Sequence, residues 1–239
     1  MTSRSREGFM AISNRLHIAG QTYIFVVQRR NEATGFYDNA CYRFYLLHLL
    51  NCLSTFQIKL HAYVLKTDGI WLLATPGTPR AAISLIKFVN QTYSSYFNTR
   101  FDRSVKVWRD TPQSSLVQGD QLVLDCQKFI ERVPLKHDSI NHPGEYEWSS
   151  YCANSFGGTS SVLTRHKSFS ALLNENPNPY KSYREFIARP FNNAYQLYLE
   201  SRLIAGLPVA KRKHKLVKPI AIKKKSSQFS HENYGSLII

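Results

Sequence analysis

Apolar side chains occupy both parities of the stretch from Arg15 to Arg29: Tyr23, Phe25 and Val27 alternate with Thr22, Ile24, Val26 and Gln28. A strand apolar on both faces belongs at the centre of a sheet. The period then changes. Tyr42, Tyr45, Leu46, Leu49 and Leu53 recur at three- and four-residue steps behind Asp38, which predicts a helix with Asp38 as its N-cap. Two extended runs follow, at about 56–66 and 70–75, parted by the turn Lys66-Thr67-Asp68-Gly69. Thr78 as N-cap and Pro79 at the first helical position open a second helix. Its stripe is Ala82, Ile86, Val89, Tyr93 and Tyr96 or Phe97. "DRSVKVWRD" and "SSLVQG" read as short extended pieces. Asp120 caps a third helix with the stripe Leu122, Cys126, Phe129 and Val133, ended by Pro134.

Strand, helix, strand, strand, helix, strand, helix is the order of an α+β fold. It predicts a ferredoxin-like βαββαβ antiparallel sheet with helices on one face and one helix added, plus a small helical C-terminal appendage. The other face of such a sheet stays free for a ligand or a second sheet. The chain divides into a flexible arm over 1–14, the main domain over 15–153, a Ser-, Asn- and Pro-rich linker over 154–179, the helical appendage over 180–210 and a basic tail over 211–239. Tyr180, Tyr183 and Phe186 supply a small core for the appendage. No internal repeat is visible.

Composition narrows the class. With 43% apolar and 13% aromatic residues the chain can fold. It has no apolar run of about 18 residues, the length that spans a bilayer, and "MTSRSREGFM" has no apolar signal core. Cys41, Cys52, Cys126 and Cys152 form no C-x-x-C pair and read as reduced, mostly buried thiols of a cytoplasmic protein. Charge changes the picture more. Lys and Arg number 31 against 16 acids, a net charge of +15. Residues 211–225 hold eight of those bases and no acid, so the remainder, with 23 bases and 16 acids, still carries +7. Cations in such excess are drawn to polyphosphates. Arg100, Arg103, Lys106 and Arg109, at spacings of three, and Lys211, Arg212, Lys213 and Lys215 in the tail are the candidate phosphate contacts.

The hairpin "HAYVLKTDGIWLL" (His61–Leu73), then "SLIKFVNQTYSSYFNTR", "VW", "SSLV", "KFIERVPLKHDSI" and "EYEWSSY", in that order over about 15–153, resemble the REP-associated tyrosine transposases, relatives of the HUH single-strand transposases. The 180–225 region is similar to that family's C-terminal part. In the family the hairpin reads "HAYVLMPNHVHLL". Its two histidines share one side of a strand and, with a polar group from the last helix, hold Mg or Mn. A tyrosine of that helix attacks a DNA phosphodiester.

Residue by residue, the resemblance puts the histidine positions on Gly69 and Trp71, the tyrosine of "YIELNP" on Phe129 of "FIERVP", and the third ligand on Val133. None of these can supply the family's chemistry. The family's "WEGRYKSSLV" is here "WRDTPQSSLV" (Trp108–Val117), poorer in bases. Removal of a covalent nucleophile alone costs on the order of 10⁶ in rate. Tyr93 and Tyr96, on another helix, read as core or surface aromatics, and His17, His48 and His61 read as structural rather than as replacement ligands. Trp71 either fills the vacated metal pocket, the preferred reading, or stacks an unpaired base.

The expectation is therefore a catalytically inactive transposase relative, without catalytic residues, metal or cofactor, that binds hairpin or single-stranded DNA in the bacterial cytoplasm at the nucleoid, as a monomer or homodimer. Two alternatives stay open. One is an active single-strand transposase or nickase with a rearranged centre, which a covalent protein–DNA adduct would reveal. The other is a protein-interaction module, which would leave structured DNA unshifted.

Overall fold

The computed structural model describes residues 16–31, 35–109, 111–136, 140–157, 163–174 and 178–210. The arm before Leu16 and the tail from Lys211, with Lys211, Arg212, Lys213 and Lys215, lie outside the described residues.

Five strands form one sheet in the order β2-β3-β1-β4-β5. The central strand β1 (Tyr23–Gln28) pairs antiparallel with β3 (Gly69–Pro76) on one side and β4 (Gln113–Gln118) on the other. β2 (Ile58–Lys66) closes the hairpin with β3, and the two-residue β5 (Val209–Ala210) runs parallel to β4. The α+β architecture expected from the sequence is present. β1 is shorter than its apolar pattern: the backbone of His17 bonds to the Pro79 carbonyl and that of Gly20 to Pro76, so the chain reaches the sheet as an irregular segment.

Helices α1 (Asn39–Cys52) and α2 (Ala81–Phe101) cover one face. Asp38 caps α1 by accepting from the Cys41 N–H at 3.0 Å. α2 begins two residues later than Pro79, with the Thr78 carbonyl taking the Ala81 N–H in its entry turn. Tyr23, Phe25, Leu60, Leu65, Ile70 and Leu72 of the sheet meet Tyr45, Leu49, Ile86, Val89, Tyr93 and Phe97 there. Each such large apolar side chain contributes about 1.5–3 kcal/mol on burial.

The opposite face is not free. Helix α3 (Asp120–Arg132) lies on it, and Ile24, Val26, Ala62, Val64 and Leu73 pack against Leu122, Cys126, Phe129 and Ile130. α3 is entered through Gly119 at φ 119°, a conformation open to glycine and strained for any L side chain, so Asp120 is the first helical residue rather than the cap. Helix α7 (Asn193–Ile204) completes the cover with Leu199 and Leu203. The expected helices-on-one-face arrangement thus describes α1 and α2. The second face carries the added helix and part of the appendage, because β1, β2 and β3 are apolar on both sides and water cannot be left on either.

Three shorter helices, α4 (Tyr151–Phe156), α5 (Lys167–Asn174) and α6 (Pro179–Ala188), back α3. Their core is Leu124, Tyr151, Phe169, Tyr183 and Ile187, with Tyr180 and Phe186 packed on it. The stretch 154–179, read as linker, therefore includes α5. No described helix is long and apolar enough to cross a membrane.

Candidate nucleic-acid interface

The hairpin places its residues by strand alternation. Ile70, Leu72 and Ala74 join the core under α1 and α2, whereas Leu73 and the half-buried Trp71 join the core under α3. Gly69 has the same parity as Trp71, and a Cβ there would lie 3.0 Å from the Val27 carbonyl oxygen. Phe129 of α3 and Val133, in the 3-10 turn that follows it, reach the same core, 4% and 6% exposed. The Trp71 and Phe129 rings meet with centroids 5.6 Å apart and planes at 47°. Lys136 stands 5.4 Å over the Phe129 ring and pairs with Glu200 at 2.6 Å. Sequence reasoning put Gly69, Trp71, Phe129 and Val133 in one site, and the fold brings Trp71, Phe129 and Val133 into one core.

Its chemistry is that of packing. An indole N–H only donates, and glycine, phenyl and isopropyl groups offer no lone pair. These residues do not fit a divalent cation. Among the described residues no group of three or more His, Cys, Asp or Glu side chains is placed to hold one.

The imidazoles and phenols singled out in the sequence, His17, His48, His61, Tyr93 and Tyr96, lie outside this core. His61 Nδ1 donates to the Thr164 carbonyl at 2.6 Å, leaving Nε2 to accept from the Thr75 hydroxyl at 2.9 Å. Burial pushes its pKa down to about 4. His17 is wedged edge-on between the Tyr23 and Phe25 rings, and His48 bonds to the Phe44 carbonyl. The Tyr93 hydroxyl donates to the Gly35 carbonyl under α2, and burial raises its pKa, the wrong direction for a nucleophile. Tyr96 accepts from Arg100 at 2.7 Å.

The four candidate phosphate contacts among the described residues, Arg100, Arg103, Lys106 and Arg109, lie on the α1–α2 side. Three polar residues one turn apart on α2 staple the following loop. Asn90 donates to the Arg109 carbonyl, the Ser94 hydroxyl accepts the Val107 N–H, and Asn98 bonds Val105 through both its N–H and its carbonyl. The loop is thereby held with Arg103, Lys106 and Arg109 exposed. A groove of about 220 Å³ runs between loop and helix, lined by Lys87, Gln91, Ser95, Asn98 and Lys106 among others, and no acid lines it. Arg100 differs from the other three. It forms a two-pronged pair with Asp38, at 2.6 and 3.1 Å, and so ties α2 to the cap of α1. Lys87, Gln91 and Ser95 went unnoticed in the sequence. The available signal was that α2, 21 residues long, contains no Asp or Glu.

Comparison with protein-family models and with curated proteins finds no match. Among solved structures the chain is similar to a REP-associated tyrosine transposase bound to a REP hairpin, at 13% identity and a TM-score of 0.53, over 65% of this chain and 89% of that one. At that identity the likeness is one of fold: the chain has a transposase-like α+β architecture, distantly related in structure to that hairpin-binding protein.

Proposed function

We propose that this protein binds hairpin or single-stranded DNA on a transposase-like fold and performs no strand cleavage. The observation that carries the reading is the Trp71–Phe129 contact, aromatic packing at the two elements where the resembling transposases keep a metal ligand and a nucleophilic phenol. Binding is supported by the net charge of +15 and by the acid-free groove of α2 with Arg103, Lys106 and Arg109 beside it. Phosphate neutralisation by such groups gives affinity that falls steeply with salt.

The test is fluorescence anisotropy with a labelled DNA hairpin carrying single-stranded flanks, across a salt series, with a denaturing gel of the same mixture in Mg²⁺ or Mn²⁺. The expected result is salt-steep binding and no protein–DNA adduct. An adduct would establish an active, rearranged centre. Absence of binding at moderate salt would leave a protein-interaction module.

A further inference from the structure

Three rings stand in a stack at the seam of α1 and α2, across the sheet from the Trp71–Phe129 packing. His48 lies on Phe44 at 4.1 Å between centroids and 24° between planes, and Phe44 lies on Tyr96 at 3.9 Å and 10°. Face-to-face rings this close are not the arrangement aromatic pairs prefer on their own, and here polar neighbours hold them. His48 Nδ1 donates to the Phe44 carbonyl one turn back at 2.9 Å. The Tyr96 hydroxyl accepts from Arg100 at 2.7 Å, and Asp38 fixes Arg100 from the cap of α1 at 2.6 and 3.1 Å. Phe44 and Tyr96 rest on the core beneath, and all three rings stay half-buried. Over Phe44 and Tyr96 opens a shallow hollow of about 460 Å³, lined also by Thr92, Ser95, Thr99 and Arg100. Ser95 lines this hollow and the basic groove alike. Phe88, one turn before Thr92, is 46% exposed and continues the apolar surface.

Packing of α1 on α2 accounts for the inner edges of these rings and not for the open hollow above them. The lining selects what fits there. Its one charge is Arg100, already paired with Asp38, so it suits a flat, uncharged group rather than a phosphate. The cations Lys87 and Lys106 line the groove on the other side of Ser95, and no acid lines either surface. A flat apolar hollow beside an acid-free basic groove matches a nucleotide strand, bases on the one and phosphates along the other. The ring spacings of 3.9 and 4.1 Å are close to the rise of about 3.4 Å between stacked bases. A duplex keeps its base faces stacked inside and cannot offer them. We propose that the unpaired bases of a single-stranded DNA segment stack on the Phe44–Tyr96 pair while the adjoining phosphates lie along the α2 groove. The inference rests on the DNA-binding reading of this side of the sheet and names the part of the DNA it takes, an unpaired flank or loop rather than a stem. The hydrogen bonds from Asp38 through Arg100 to Tyr96 hold the platform before the strand arrives, so little side-chain freedom is lost on stacking.

Anisotropy titrations of the full chain with a labelled oligothymidylate and with a blunt, fully paired duplex of the same length test this. Photocrosslinking of the wild type to a 5-iododeoxyuridine oligomer, mapped by mass spectrometry, is the second readout. Phe44→Leu removes the ring and keeps apolar bulk, and Phe44→Trp keeps a ring. Phe44→Leu weakens oligothymidylate binding by about tenfold. The slope of log affinity against log salt stays the same, because no phosphate contact is lost. Phe44→Trp binds as wild type does, neither variant changes duplex binding, and the cross-links fall on α1 and α2. Wild-type oligothymidylate affinity in Phe44→Leu overturns the proposal, as does an equal loss on the duplex or a cross-link confined to other elements. Should Phe44→Leu not fold, the cross-link position decides. If the flanked hairpin binds and Phe44→Leu matches wild type, the DNA-binding reading stands and only the stacking site falls. If wild type binds none of these DNAs, both fall.

Discussion

Glu131 is fully buried and bonded by neutral groups alone. Oε1 accepts from the Ser150 hydroxyl at 2.8 Å and the Asn154 amide at 2.7 Å, and Oε2 accepts from the Tyr183 hydroxyl at 2.6 Å. Burial raises its pKa from the ordinary 4.5 to about 7, against the three hydrogen bonds that pull it down. Between those two values the folded chain holds one proton more than the unfolded chain. Stability from this group is therefore complete below pH 4.5 and is lost as pH rises to about 7. The loss is about 3 kcal/mol at 1.36 kcal/mol for each pH unit. Glu131→Gln removes the titration and keeps the bonds. Its carbonyl accepts from Ser150 and Asn154 as before. Its amide donates to the Tyr183 oxygen, and Tyr183 passes its own proton to Gln127 Oε1, now without a partner, once that amide turns over. The buried His17 and His61 and the half-buried His166, whose pKa values burial lowers, act with the opposite sign, stabilising as pH rises toward 6.5, so wild type alone is a poor readout. The difference between variant and wild type isolates Glu131. Thermal unfolding followed by circular dichroism should show similar midpoints near pH 5 and a variant about 6–10 °C higher near pH 8. A difference that does not change between pH 5 and 8 would refute the reasoning.

Phe129→Tyr returns a phenol to α3 but no metal ligand, so denaturing gels with hairpin DNA and Mn²⁺ should show no covalent adduct; a retarded protein–DNA band would contradict this. Trp71→Ala strips one side of the Phe129 contact and should cost about 2–4 kcal/mol in urea unfolding, with hairpin affinity unchanged. A selective loss of DNA affinity at unchanged stability would instead mean that the indole stacks a base. Arg103→Ala with Arg109→Ala should flatten the slope of log affinity against log salt by about one to two, measured by anisotropy, and leave the unfolding midpoint in place. An unchanged slope would remove these two side chains from the interface.

Local pattern was enough where one residue type decides one element. Asp38 caps α1, the alternation of β1 puts it at the sheet centre, and the stripe Ala82, Ile86, Val89, Tyr93, Phe97 is buried along α2. The cover on the second face was less legible. The apolar parity of Ile24, Val26 and Val64 demands a partner without saying which, and that partner includes Leu199 and Leu203, far along the chain. The Glu131 cluster was invisible for the same reason: Ser150, Asn154 and Tyr183 come from separate segments, and no periodicity links them to α3. Arg100 looked like its neighbours in sequence, yet Asp38, 62 residues away, claims it.

The inactive reading does not rest on missing atoms alone. A site that had merely lost its ligands would leave polar positions facing a void, and protein interiors do not keep voids. Here β3 and α3 meet through an indole and a phenyl ring, with Val133 in the same core and the Lys136 ammonium over the phenyl face. Those four groups are mutually satisfied without metal or substrate. Installing the transposase chemistry would mean more than adding an oxygen to Phe129. It would require removal of the Trp71 ring and a side chain at Gly69, where the first added carbon already lies 3.0 Å from the Val27 carbonyl oxygen. The packing of this sheet face is what supports the proposed absence of strand cleavage. The nucleic-acid contacts proposed on the α1–α2 side lie across the sheet from this packing and do not compete with it.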